Sequence, residues 1–155
     1  MVKSVYLANP YGFSLQQHGP LRELVAKLQS LGLEVFEPFE RNNQLDKDSK
    51  GWAYPVGQAD IADIQNTDGI VAVVNGCPPE EGVVFELGYA TALKKAVFLF
   101  RDDARTCTPC ENYPLNLMLF TALPEVGWER FWYTSLEELA DPNKALVEWA
   151  SQGKE

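Results

Sequence analysis

In this 155-residue chain, Glu86 stands where an ionisable group needs a reason. It lies in PPEEGVVFELGYATALKK, residues 78–95, among Val83, Val84, Phe85, Leu87 and Ala90. Glu80 and Glu81 precede it, and Asp68 stands just before the apolar run at 69–74. Carboxyl groups that share a crevice can divide labour. An ionised one attacks carbon or stabilises positive charge, and a protonated one delivers a proton. Burial raises a carboxyl pKa, while a helix N-terminus and hydrogen-bond donors lower it. A helix starting near Gly82 puts Glu86 near the end of the first turn, where the macrodipole favours the ionised form. Its same-face neighbours are Gly82, Tyr89 and Ala90. Two of the three are small, which leaves room for a ligand beside the carboxylate. The plain alternative is a solvated glutamate at the edge of a core helix.

The elements that must position these groups alternate between strand and helix. Residues 3–8 read as a first strand, followed by the turn-rich loop NPYGFS. Tyr6, Asn9 and Tyr11 offer hydrogen bonds there, or else serve packing and turns. Gly12 is the only glycine in this loop and no Lys-Ser/Thr follows, so it is neither GxGxxG nor a P-loop. Leu21, Leu24, Val25, Leu28 and Leu31 repeat with helical period over 20–31. Residues 33–36 make a second strand. The polar stretch 39–52 is a lid, a specificity element or a solvated excursion. A second helix spans 53–66 with Val56, Ile61 and Ile64 inward and Asp60 and Asp63 on the solvated side. Asp68 then leads into the third strand, as a turn former or as a site acid. The Glu86 helix follows, then a fourth strand, AVFLF, at 96–100. Residues 114–123 are mostly apolar but carry Asn116, which is a satisfied core amide or a group aimed into a site. A fifth strand or extended segment is expected at 126–132. Ser135 and Glu138 form a capping-box pattern opening a last helix over 136–149, with Asp141-Pro142 as a break or kink. This alternation predicts one α/β domain over 1–155, three-layered and doubly wound. Its five-stranded parallel sheet is expected in the flavodoxin-like order 2-1-3-4-5, with ligands bound outside the carboxyl ends of the strands.

Composition narrows the function. The formal net charge of −9 argues against a nucleic-acid polymer as partner. No apolar run reaches the length of a membrane span, and the N-terminus lacks a signal-peptide core. Three cysteines with no framework spacing fit a reducing cytoplasm. Cys107 and Cys110 form CTPC, which reads as half a zinc site, a redox pair or an incidental loop pair. Only Cys77 and His18 could complete a zinc site, so no metal is expected.

Four stretches together resemble the nucleoside 2-deoxyribosyltransferases: VYLANPYGF, NTDGIVAVV, PPEEGVVFELGYA and YPLNLML. They span most of the chain in the family's order. The resemblance implies nucleobase exchange on 2′-deoxyribonucleosides, in nucleoside salvage, without a cofactor. It implies Glu86 as nucleophile, forming a covalent deoxyribosyl-enzyme intermediate, with Tyr6 orienting it. Asp68 is implied as the residue that handles the proton on the base. Glu80 takes the place of the family's usual Asp on the sugar hydroxyl, one methylene longer. Asn116 is implied to reach the 5′-hydroxyl in a neighbouring subunit's site, which makes the protein a homo-oligomer. Asn9 and Gly82 complete the expected substrate-binding set. Tyr11, Phe13 and Trp52 are candidates to stack on the base. Two other functions stand beside this one: hydrolysis of the N-glycosidic bond of nucleosides or their 5′-monophosphates, and a non-catalytic nucleotide-binding module.

Overall fold

Strand β1, Ser4–Ala8, is buried along its whole length, and its side chains divide between two cores. Val5 and Leu7 pack with Leu21, Leu24 and Leu28 of α1, His18–Ser30, and with Leu146 and Ala150 of α5, Ala145–Ser151. Tyr6 and Ala8 point the opposite way, toward Ile64 of α3, Ala53–Asn66, and toward Val83, Leu87 and Ala90 of α4, Glu81–Ala92. This is the period-two alternation of a strand covered on both faces. It places the Tyr6 side chain on the same side as α4. The computed structural model describes residues 1–42 and 46–153. Residues 43–45, within the 39–52 stretch, lie outside the described residues, as do 154 and 155.

The sheet has five parallel strands in the order β2-β1-β3-β4-β5. Its other strands are β2, Glu34–Phe36, β3, Gly69–Val73, β4, Ala96–Phe100, and β5, Trp132–Tyr133. In a parallel sheet every carboxyl end falls on one edge, and the loops beyond that edge form the natural crevice. β1 is followed by 9–14, β2 by the short helix α2, Pro38–Arg41, β3 by 74–80 and β4 by 101–113.

The C-terminal third departs from the expected elements. The segment 126–132 is mostly a 3₁₀ turn, Trp128–Phe131, and β5 is only two residues long. The last helix is split into a 3₁₀ turn at Glu138–Ala140 and α5. Asp141 is extended, its carboxylate accepts from the Asn143 N–H at 2.8 Å, and Pro142 has no N–H to continue a helix. Ser135 Oγ does accept from the Glu138 N–H at 3.4 Å, and Glu138 reaches back to the Thr134 N–H at 2.8 Å.

Candidate active site

The Tyr6 hydroxyl donates to Glu86 Oε1 at 2.7 Å. Tyr6 is fully buried in β1 and Glu86 is half-buried on α4. The two are joined because β1 and α4 pack face to face, with Ala90 and Leu87 filling the space below. Beyond Glu86 the loops frame a crevice lined by Asn9, Gly12, Phe13, Glu37, Phe39, Asp60, Glu80 and Gly82. It holds about 470 Å³ of empty space, its open mouth included. A second hollow, lined by Gly57, Ile61 and Phe85, continues from it past Asp60 and Glu86.

Four carboxyl groups, Glu37, Asp60, Glu80 and Glu86, therefore meet at one place. Burial pushes the Glu86 carboxyl up to about 7. The Tyr6 hydrogen bond opposes that rise, and the charges of Asp60, Glu80 and Glu37 add to it. Burial likewise raises Asp60, against the hydrogen bond it accepts from Asn42 Nδ2 at 2.8 Å. Beneath the glutamate, burial and the Glu86 charge drive the Tyr6 phenol well above its ordinary range, so it stays a donor. Groups whose environments move their pKa values toward neutrality in a cleft are suited to proton transfer and nucleophilic attack.

Each wall has a local cause. Glu80 is the N-cap of α4, and its carboxylate accepts from the Val83 N–H at 2.8 Å. Gly82 lies in the first turn, where a Cβ would stand 3.1 Å from Glu80 Oε2, so its missing side chain keeps that carboxylate in place. Glu37 ends β2 and caps α2, accepting from the Phe39 N–H at 3.1 Å and the Glu40 N–H at 2.8 Å. Asn9 donates to Glu37 Oε1 at 2.9 Å and to the Leu7 carbonyl at 3.0 Å, and accepts from the Tyr11 N–H at 3.0 Å. Asn9 thus lines the crevice as a fastener between the β1 and β2 loops. Gly12 permits close approach of Phe39, whose Cδ2 would lie 2.8 Å from an added Cβ. Phe13 is 76% exposed over the crevice, whereas Tyr11 is buried and its hydroxyl accepts from Asn75. Trp52 is half-buried, with Lys47 over its ring.

Two expectations about acids need correction. Asp68 is not brought to the crevice. It is exposed at the amino end of β3, where its carboxylate accepts from the Ser4 N–H at 2.8 Å and Ser4 Oγ at 3.1 Å. A residue that precedes a strand sits at the opposite edge of the sheet from the carboxyl ends. Asp60 and Asp63 are not on the solvated side of α3. They share the stripe of Val56 and Ile64 at positions i, i+4, i+7 and i+8, which is the inward face. Burial alone would raise Asp63, but hydrogen bonds from Arg41, at 2.9 and 3.1 Å, and from Asn42 outweigh it and leave the pKa low. That stripe was the available signal for Asp60. Glu37 had a weaker one, an acid at a strand's carboxyl end followed by proline.

Asn116 is exposed and caps the 3₁₀ turn Leu117–Phe120, accepting from the Met118 N–H at 2.9 Å. It borders a separate apolar hollow with Pro78, Pro79, Val84 and Met118. Within one chain it does not face Glu86's crevice. Among the described residues no group of three or more His, Cys, Asp and Glu could hold a metal ion, and no helix is long and apolar enough to cross a membrane.

A doubly wound α/β domain with a tyrosine-held carboxylate at the carboxyl ends of its strands belongs to the class that receives a small ligand at that edge. Residues 5–118 match the family model for nucleoside 2-deoxyribosyltransferase, and the chain belongs to that family. The fold is shared with a 2-deoxyribosyltransferase from Bacillus psychrosaccharolyticus, at 23% identity and TM-score 0.70, covering 89% of this chain and 90% of that one. It is also shared with a 2-deoxyribosyltransferase from Leishmania mexicana, at 24% identity and TM-score 0.62, covering 87% and 92%. A CMP N-glycosidase from Clostridium botulinum aligns over 97% and 99% at 20% identity and TM-score 0.54. No curated protein sequence matches the chain. The family is one of enzymes that act on nucleosides.

Proposed function

We propose that the protein is a nucleoside 2-deoxyribosyltransferase that exchanges the base of 2′-deoxyribonucleosides through an ester on Glu86. The observation that carries this reading is the 2.7 Å hydrogen bond from Tyr6 to Glu86 Oε1 in a crevice of carboxyl groups. Tyr6 occupies one oxygen and sets the plane of the carboxylate, which leaves Oε2 to attack C1′. The C1′–N bond breaks as the new C1′–O bond forms, and the base departs with the bonding electrons. Asp60, raised by burial, protonates that base. An incoming base then attacks C1′, its proton passes to Asp60, and Glu86 is released. The transition states carry positive charge on the sugar, which the surrounding acids stabilise. They also relieve the repulsion from Asp60, Glu80 and Glu37, which adds to the burial that raises Glu86. Asp60 takes the part first assigned to Asp68. Glu80 lines the same wall and is placed to accept from a sugar hydroxyl. Phe13 offers an exposed ring for the base.

An unphosphorylated substrate fits the charges better than a nucleotide. The hollow adjoining Glu80 is lined by Asn75, Asp102, Asp103 and Arg105. Arg105, the one cation among its described lining residues, is held by Asp103 at 2.5 Å. Asn116 serves a neighbouring subunit in this reading. The apolar surface beside it, with Val84 37%, Leu117 45% and Met118 66% exposed, supports a homo-oligomer.

The test is chromatography of the protein with 2′-deoxyinosine, with and without free adenine. Formation of 2′-deoxyadenosine and hypoxanthine together is the expected result. Hypoxanthine alone in both tubes would make the protein a hydrolase. No turnover with nucleosides or with their monophosphates would leave a binding module and refute the proposal.

A further inference from the structure

Outside the crevice, the cysteines pair differently from their order in the chain. Cys110 belongs to a small bridge with Tyr113, with reciprocal N–H to carbonyl hydrogen bonds of 3.1 and 2.9 Å. Cys77 follows β3 and Cys107 follows β4, and these strands are neighbours. The two thiols cross between the loops. Cys77 Sγ donates to the Thr106 carbonyl at 3.5 Å, and Cys107 Sγ donates to the Gly76 carbonyl at 4.0 Å. Each sulfur thus lies against the residue that precedes the other cysteine, which sets the two sulfurs side by side. The Cys107 thiol is the main influence raising the Cys77 pKa, with Arg105 and Arg101 acting in the opposite direction.

The backbones that carry the pair are already fastened together. The Arg101 guanidinium is buried and donates to the carbonyls of Val74, Gly76 and Arg105. The Gly76 N–H donates to Asp103 Oδ2 at 2.9 Å. These bonds hold the two cysteine-bearing loops against each other while the thiols are reduced.

We propose that Cys77 and Cys107 are a reversible dithiol–disulfide pair, oxidised by exchange with a low-molecular-weight disulfide such as oxidised glutathione. Cys77 is exposed and takes the first step. Its thiolate attacks one sulfur of the oxidant, forming a mixed disulfide and expelling one small thiol. Cys107, half-buried beside it, loses its proton and attacks the Cys77 sulfur. The Cys77–Cys107 bond forms and the second small thiol leaves. The protein gives up two protons and two electrons, and the small disulfide is reduced to two thiols. The new bond ties residues 76–80, which present Glu80 to the crevice, to the loop at 101–107.

The test is peptide mapping by mass spectrometry after the reduced, folded protein is incubated with oxidised glutathione and quenched by alkylation. The expected product is a Cys77–Cys107 linked peptide with Cys110 alkylated, reversed by dithiothreitol. Cys110→Ser should keep the link and Cys77→Ser should lose it. A dominant Cys107–Cys110 link overturns the proposal. So does glutathione left on Cys77 without the internal link, or recovery of three alkylated cysteines. None of these readouts depends on which reaction the crevice performs.

Discussion

Replacing Glu86 by Gln tests the electrostatics of the crevice and the proposed chemistry together. Gln keeps an oxygen that can accept from the Tyr6 hydroxyl, so the packing of β1 on α4 is retained. It removes a carboxyl that titrates at about 7 in the folded protein against an ordinary value of 4.5. Between those two values the folded chain binds more protons at this site than the unfolded chain does. Stability contributed by Glu86 is therefore present at low pH and is lost as pH rises from 4.5 through 7. The full difference corresponds to roughly 3 kcal/mol at pH 8, and solvent reaching the half-buried carboxylate reduces it to about 2 kcal/mol. Urea unfolding of both proteins at about pH 5 and pH 8 measures this directly, because the other titrating groups are common and cancel. Wild type should lose roughly 1 kcal/mol more than Glu86→Gln over that interval, the rest of the difference having gone below pH 5. Equal pH dependence, within ~0.3 kcal/mol, would refute the desolvated carboxylate. Base exchange should fall roughly 10³-fold or more in the same variant, since an amide is not a competent nucleophile. Exchange at the wild-type rate would remove Glu86 from the mechanism.

Tyr6→Phe deletes the hydrogen bond that holds the Glu86 pKa down. The rising limb of the kcat/KM profile should move alkaline by on the order of one pH unit, and an unmoved limb would separate Tyr6 from the nucleophile. Asp60→Asn should slow exchange about 10²-fold or more with the fold intact, as judged by thermal unfolding and steady-state kinetics. Asp68→Asn should instead cost about 1 kcal/mol of stability, through weaker bonds to Ser4, with kcat unchanged. A reversal of those two outcomes would restore Asp68 to the reaction. Gly12→Ala should displace Phe39, costing about 1–3 kcal/mol and raising KM, because the added Cβ would sit 2.8 Å from that ring.

Hydrophobic period and end signals are local, and the elements that depended on them alone were legible. The helix expected at 53–66 is α3, the strand at 96–100 is β4, and the alternation of the two types implied the parallel sheet in the order 2-1-3-4-5. Glu86 on a turn-opening helix was legible too, from a carboxylate among apolar residues with small neighbours. The C-terminal segment was less so, because a cluster of the Tyr113, Phe120, Trp128 and Trp132 rings, in stacked, tilted and edge-on contact, shapes it more than backbone periodicity does. The tertiary structure alone decided which acids meet Glu86 and which cysteines meet each other. Asp68 is nearer to Glu86 in sequence than Asp60 is, yet it lies at the far edge of the sheet. Cys107 is three residues from Cys110, yet its thiol lies with Cys77. Nearness along the chain says little here because a parallel sheet returns each strand from the same side. Residues after strands gather at one edge, residues before them gather at the other, and the strand order settles which of them touch.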